Sequence, residues 1–314
     1  MIRAVAAVSA IALSAAPALA DDRPVGPSVD AQRFRLDPVG TGLPGMPGAD
    51  LLPRHGGHVG VGVVTALSPL EGSTETEGAL IHRLTTMDVG LAYGFGFLDV
   101  FAVLPLHMDA QGGAEDLLDR PHLAGFAGLG DVGFGAVVRL LDVEEITFGL
   151  SIRLAGTLPT GDETSMLGWA GPTFRPSVVT EFRAWRIRFL TETAVHLRPP
   201  ADALAVVAGH ALELSVGLAI TPTTPTELRG LELAVMIDAR PELPDASGEP
   251  VTDVRRPLEW RVALVGRPTP CLAVQAGGGT GIGPGWGTPR VRIFAAVDVT
   301  LDASGRGCGD RSAL

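Results

Sequence analysis

The chain has 314 residues, 46% hydrophobic and 19% charged, with a formal net charge of −11 and a mean hydropathy of +0.29. An acidic chain whose cations are all scattered arginines is a poor partner for nucleic acid, so that class is set aside. Its 41 glycines and 25 prolines favour strands and turns over helices, and beyond the N-terminus no uncharged apolar run is long enough for a transmembrane helix.

Met1–Ala20 carries Arg3, an apolar run over Ala4–Leu13 and the small-residue site Ala18-Leu19-Ala20. That order is the pattern of a cleaved secretory signal, so the protein is expected to be exported. Residues 21–54 are rich in Pro and Gly without periodicity, and read as a periplasmic lead-in or a partial plug. From residue 55 to 301 apolar residues alternate with small or polar ones. Ile146–Leu154, Leu212–Ile220, Leu231–Asp238, Leu258–Leu264 and Val291–Val299 show it most clearly. A two-residue period places the two kinds on opposite faces of a strand. A helix would set Glu213 or Arg261 among leucines.

About twelve strands are expected, over 57–67, 80–94, 97–108, 129–141, 145–157, 172–184, 186–198, 210–221, 229–240, 256–266, 271–281 and 287–301. Most reach the roughly 9–11 residues that cross a bilayer at a tilt. Short connections (95–96, 142–144, 185, 222–228, 267–270) alternate with mostly longer ones (68–79, 109–128, 158–171, 199–209, 241–255, 282–286). Outer-membrane barrels alternate periplasmic turns and external loops in this way. The expected fold is therefore all-β: an antiparallel up-and-down transmembrane barrel with a periplasmic tail over 302–314.

Polarity supplies the membrane argument. One face of each strand is continuously apolar, whereas the other carries the charges, the reverse of a soluble barrel. The expected lumen-facing residues are Arg139, Arg153, Arg183, Arg188, Glu192, Glu213, Glu232, Glu259, Arg261, Arg292 and Asp298. Asp99, Arg175, Glu181, Arg186, His196 and Asp238 share that face. Such a set either fills the interior as an ion-pair lattice or lines a wet pore, and its near-even signs give no strong ion preference. Aromatic residues are only 5%, which leaves the interfacial girdles thin; Phe95, Phe97, Phe148, Phe182, Trp185 and Trp260 are the candidates.

Gly128-Leu-Gly130-Asp-Val-Gly133 matches G-x-G-x-x-G, but a strand pattern follows it where a dinucleotide site needs a helix. The run Gly277-Gly-Gly-Thr-Gly-Ile-Gly283 reads as a strand end entering a loop. No hydrolase elbow or zinc motif occurs, and His55 and His58 have no evident third ligand, so no enzyme, metal or cofactor is expected. Cys271 and Cys308 both fall on the periplasmic side, where a disulfide would clip the tail to the rim.

Several segments carry a family resemblance. Asp30-Ala-Gln-Arg-Phe-Arg35, Gly128–Gly133, Leu158-Pro-Thr-Gly-Asp162 and Gly171-Pro-Thr-Phe-Arg-Pro176 resemble the barrel domain of OmpA-family outer-membrane proteins. The Gly-Asp and Pro-Thr-Gly-Asp segments are also similar to putative outer-membrane transporters of the phenol meta-pathway class. The resemblance implies outer-membrane lipid as surroundings and small solutes as cargo. No peptidoglycan-binding domain follows the barrel, so cell-wall anchoring is not implied. Passive, porin-like transport is the expected role. The alternatives are a non-conducting barrel whose acidic loops 109–128 and 241–255 bind a partner, and an embedded hydrolase using Ser165 and His196.

Overall fold

The computed structural model describes residues 34–71, 79–111, 128–161, 167–199, 201–203, 206–222, 230–241, 243, 257–282 and 288–302. Twelve antiparallel strands close into one barrel. They are β1 (Gly56–Glu71), β2 (Ala79–Gly94), β3 (Leu98–Gln111), β4 (Val132–Leu141), β5 (Phe148–Leu158) and β6 (Thr173–Ala184). The second half is β7 (Ile187–His196), β8 (Ala211–Ile220), β9 (Leu231–Ala239), β10 (Leu258–Thr269), β11 (Leu272–Gly281) and β12 (Val291–Asp302). Each strand pairs with its neighbour in sequence. β1 also pairs with β12, from Gly56↔Asp302 to Leu67↔Val291, so the sheet has no free edge. Gly128–Leu129 adds a short piece beside β3, and a small hairpin, Ala201–Ala203 with Val206–Ala208, stands between β7 and β8.

The two-residue period becomes two chemically distinct walls. In β8, Leu214, Val216, Leu218 and Ile220 are exposed on the outside, whereas Glu213, Ser215, Gly217 and Ala219 are buried inside. Polar groups on the outer wall find partners across strands: Thr65 hydrogen-bonds Thr85 at 3.1 Å and Thr180 hydrogen-bonds Thr191 at 2.7 Å. Hydrocarbon offers such groups no water, so cross-strand pairing is the available remedy.

The few aromatic residues are grouped. Tyr93, Phe95, Phe97, Phe148, Phe182, Trp185 and Phe189 are all exposed at the short-turn end of β2–β7. Phe148, Phe182 and Phe189 stand side by side in register on three successive strands. Trp260 is exposed separately, on β10. Half a girdle is therefore built at one end from a sparse supply.

One local reading is corrected. The β4–β5 connection contains one helical turn, α1 (Val143–Ile146), and Thr147 follows with φ of 60°, so β5 starts at Phe148 instead of near 145. The glycine run of residues 277–281 forms the end of β11, in line with the expected strand end. A Cβ at Gly277 would stand 2.6 Å from Phe294 Cζ, and one at Gly279 would stand 2.5 Å from Arg261 Cγ. These glycines leave room for large inward side chains on both neighbouring strands.

Replacing Val216, halfway along the outer face of β8, with arginine is expected to lower stability by about 2–4 kcal/mol, the cost of a cation at the bilayer midplane. Denaturant titration in lipid vesicles measures it, and an unchanged midpoint would contradict the outward assignment.

Candidate functional site: a plugged lumen with a polar chamber

Residues 34–54, expected ahead of the barrel as a lead-in or partial plug, lie inside it. Phe34, Leu36, Leu43 and Met46 pack with Val64, Leu190, Ala219, Ala234, Met236, Ala263, Phe294 and Ala296 from the inner wall. Farther along, Val39, Leu51 and Leu52 pack with Phe101 and Val137. Phe34 is the anchor. Its ring sits 5.2 Å from that of Phe294, with the Arg261 and Arg292 guanidinium carbons 4.5 and 5.1 Å from its centroid.

Polar groups of the same segment meet the charges of the wall. Asp37 pairs with Arg153 at 3.2 Å, Asp50 with Arg139 at 3.3 Å and Arg35 with Asp88 at 3.1 Å. The carbonyls of Thr41 and Gly42 accept from Arg188, and that of Pro44 accepts from Arg261 at 2.9 Å. The amides of Ala49 and Leu52 donate to Glu181 at 3.0 Å and Asp99 at 2.8 Å. The segment is irregular because its backbone groups serve the wall instead of a ladder.

The side chains expected to face the lumen lie on the inner wall. Arg183 and Arg188 both reach Glu181, at 2.5 and 2.6 Å. Arg175 bridges Glu192 at 2.8 Å and Glu213 at 2.5 Å. Arg292 pairs bidentately with Glu259, at 2.7 and 3.0 Å. Arg267 pairs with Glu232 at 3.0 Å, Arg261 with Asp238, and Asp298 with Gln275 at 2.7 Å. The wall is an ion-pair lattice that the plug completes.

A cavity of about 180 Å³ remains between the plug and strands β3–β8. Arg35, Asp37, Asp131, Arg153, Arg175, Glu192, His196, Arg198, Glu213 and Arg240 line it, together with Phe101 and Trp169. Opposite signs are interleaved around it. Of these, Arg35, Asp37, Asp131, Arg198, Arg240 and Trp169 were not among the expected lumen residues: Arg35, Asp37 and Trp169 fall outside the expected strands, and Asp131, Arg198 and Arg240 stand at expected strand ends, just outside β4, β7 and β9. The signal for the plug was the spacing of Phe34, Leu36, Val39, Leu43 and Met46 among prolines and glycines, a pattern that gains nothing from exposure.

Other candidates separate. His55 is exposed and hydrogen-bonds Tyr93 at 3.0 Å, whereas His58 is buried 3.4 Å from Asp298. His196 faces Glu213 at 3.4 Å in the chamber, and Ser165 lies outside the described residues. Cys271, in the β10–β11 turn, is disulfide-bonded; Cys308 lies outside the described residues, as do residues 1–33, 112–127 and 244–256. Among the described residues no cluster of His, Cys, Asp and Glu could hold a metal.

No protein-family model matches the sequence, and no curated protein matches it. Solved structures do. An outer-membrane channel from Pseudomonas putida F1 superposes with a TM-score of 0.63 at 14% identity, over 82% of this chain and 99% of that one. The fold is that of outer-membrane β-barrels. A NanC porin aligns over 78% of this chain and 99% of its own, with a TM-score of 0.46 and 8% identity. The toluene transporter TodX of P. putida aligns over 80% and 90%, with a TM-score of 0.37 and 11% identity. The likeness is to outer-membrane barrels in general, and nothing in it singles out the OmpA family.

Replacing Phe34 with alanine removes the ring that two arginines and Phe294 enclose. Limited proteolysis is expected to cut within residues 34–54 of that variant much faster than in the parent. Heat-modifiable gel migration, which reports the barrel, should stay unchanged.

Proposed function

We propose that this chain is an outer-membrane barrel that passes small solutes passively, by way of the polar chamber beside its N-terminal plug. The observation that carries this reading is the combination of an apolar outer wall with a lumen that keeps a charged chamber of about 180 Å³. That space is large enough to hold water among the arginines and carboxylates that line it. Their interleaved signs favour small polar or dipolar solutes over a strong preference for one ion. Nothing in this arrangement assigns a reaction.

A second reading rests on the plug itself. Phe34, Leu43 and Met46 close the side of the lumen bounded by β7–β10, β12 and β1, as expected of a non-conducting barrel that presents its loops to a partner. Planar-bilayer recording of the refolded protein separates the two. Passive transport predicts discrete, small conductance steps in the intact protein. Complete silence would leave the non-conducting barrel.

The chain's ends are proposed to follow the outer-membrane route, with Met1–Ala20 removed on export and the tail held at the periplasmic rim through Cys271 and Cys308. The mature protein should begin at Asp21 by N-terminal sequencing. Replacing Cys308 with serine should expose Cys271 to maleimide without prior reduction, whereas the parent should react only after it. Equal labelling of both would remove the clip.

A further inference from the structure

The Gly128–Gly133 run marks an interruption in the wall. β3 and β4 pair from Leu98↔Val138 to Val103↔Gly133, and pairing resumes only at Leu106↔Leu129. Pro105, between them, has no N–H to give a ladder. The β5–β6 connection fastens to this gap. Thr160 Oγ1 accepts from Val132 N at 2.9 Å and donates to Gly130 O at 2.8 Å. Asp131, 3% exposed, uses both carboxylate oxygens: Oδ1 accepts from Gly161 N at 3.0 Å and Oδ2 from Trp169 N at 2.8 Å. Close approach is built in, since a Cβ at Gly168 would stand 2.5 Å from Asp131 Oδ1.

The consequence is the position of Trp169. Its side chain is buried against the chamber, with the Arg198 guanidinium carbon 4.6 Å from the ring centroid and His196 edge-on at 6.3 Å between centroids. We infer that Asp131 is a latch that holds Trp169 in the chamber, and that this indole sets the size of solute the chamber admits. The second half rests on the proposed passage through the chamber; the first half does not.

The chemistry of the latch makes it separable from mere space-filling. A carboxylate accepts from two amides at once. An isosteric carboxamide keeps one of the two holds with its oxygen, whereas leucine, of the same branched shape, accepts from neither amide. D131L therefore frees Trp169 with little change in shape, whereas W169A enlarges the chamber with the latch in place.

Both halves are read in refolded protein whose barrel is checked by heat-modifiable migration. With Trp185, Trp260 and Trp286 replaced by phenylalanine, Trp169 is the only fluorophore of its kind, and acrylamide quenching reports its access. D131L is expected to raise the quenching constant several-fold; an unchanged constant in a folded barrel overturns the latch. In planar bilayers and liposome swelling, W169A is expected to raise conductance and admit larger sugars than the parent, with W169F in between. Equal conductance and an equal size limit overturn the gating role of the indole. Silence from parent and W169A alike sinks the transport reading and the size limit with it, while quenching still decides the latch.

Discussion

A charge enclosed by a barrel has to be matched inside it, and that constraint organises this molecule. Turning the polar face of twelve strands inward places Arg153, Arg188, Arg261, Arg292, Glu181 and Asp238 where each is less than a tenth exposed. Removing one partner from such a pair costs about 3–5 kcal/mol, because the other is left as an uncompensated buried charge. The strands satisfy part of this demand among themselves, as Arg175 does with Glu192 and Glu213. They do not satisfy all of it. Arg153 takes Asp37 from the N-terminal segment, and Arg188 and Arg261 take main-chain carbonyls from it. The plug is thus a structural partner of the wall, and barrel and plug complete one hydrogen-bonding network.

The same division explains where the space is. Plug residues Phe34, Leu43 and Met46 meet a wall made small or apolar by Ala219, Ala234, Ala263 and Ala296, and there the lumen is solid. Toward β3–β8 the plug offers Asp37, Pro38 and Gly45, and the wall offers long charged side chains that stand apart in pairs. Apolar surfaces close on each other because contact is all they gain; ion pairs leave gaps because their geometry fixes the distance. The chamber is the residue of that difference.

Much of this was legible in the sequence. Strand number, approximate strand spans and the inner face followed from a two-residue period, because a strand with one lipid face and one polar face has no freedom of register. Glu213 and Arg261, flanked by leucine, valine or tryptophan on both sides, had to point inward. The plug was harder. Its apolar residues follow no period, since an irregular chain is shaped by the cavity that receives it, and neither Asp37 nor Asp50 announces which arginine it will meet. The start of β5 was misplaced for a smaller reason: Ile146 keeps the apolar phase of the strand while its backbone belongs to a helical turn. Side-chain periodicity is blind to a change of backbone that leaves the phase intact.

The glycine runs are the instructive case, because motif resemblance and packing compete to explain them. A phosphate-binding reading of Gly128–Gly133 requires a helix to follow, and β4 follows instead. What Gly130 shares with Gly277 and Gly279 is the close approach of a large inward side chain: His107, Phe294 and Arg261 respectively. Gly279 accommodates Arg261, and Gly161 and Gly168 accommodate Asp131. The neighbour is charged in some places and apolar in others: Arg261 lies over Gly279, Phe294 over Gly277, and Leu43 and Met46 over Gly217. A Cβ at Gly279 would push Arg261 off Asp238, at a cost set by the buried ion and not by the lost space. Glycine on the inner face of a barrel strand therefore marks where a large neighbouring side chain is received, apolar or charged alike.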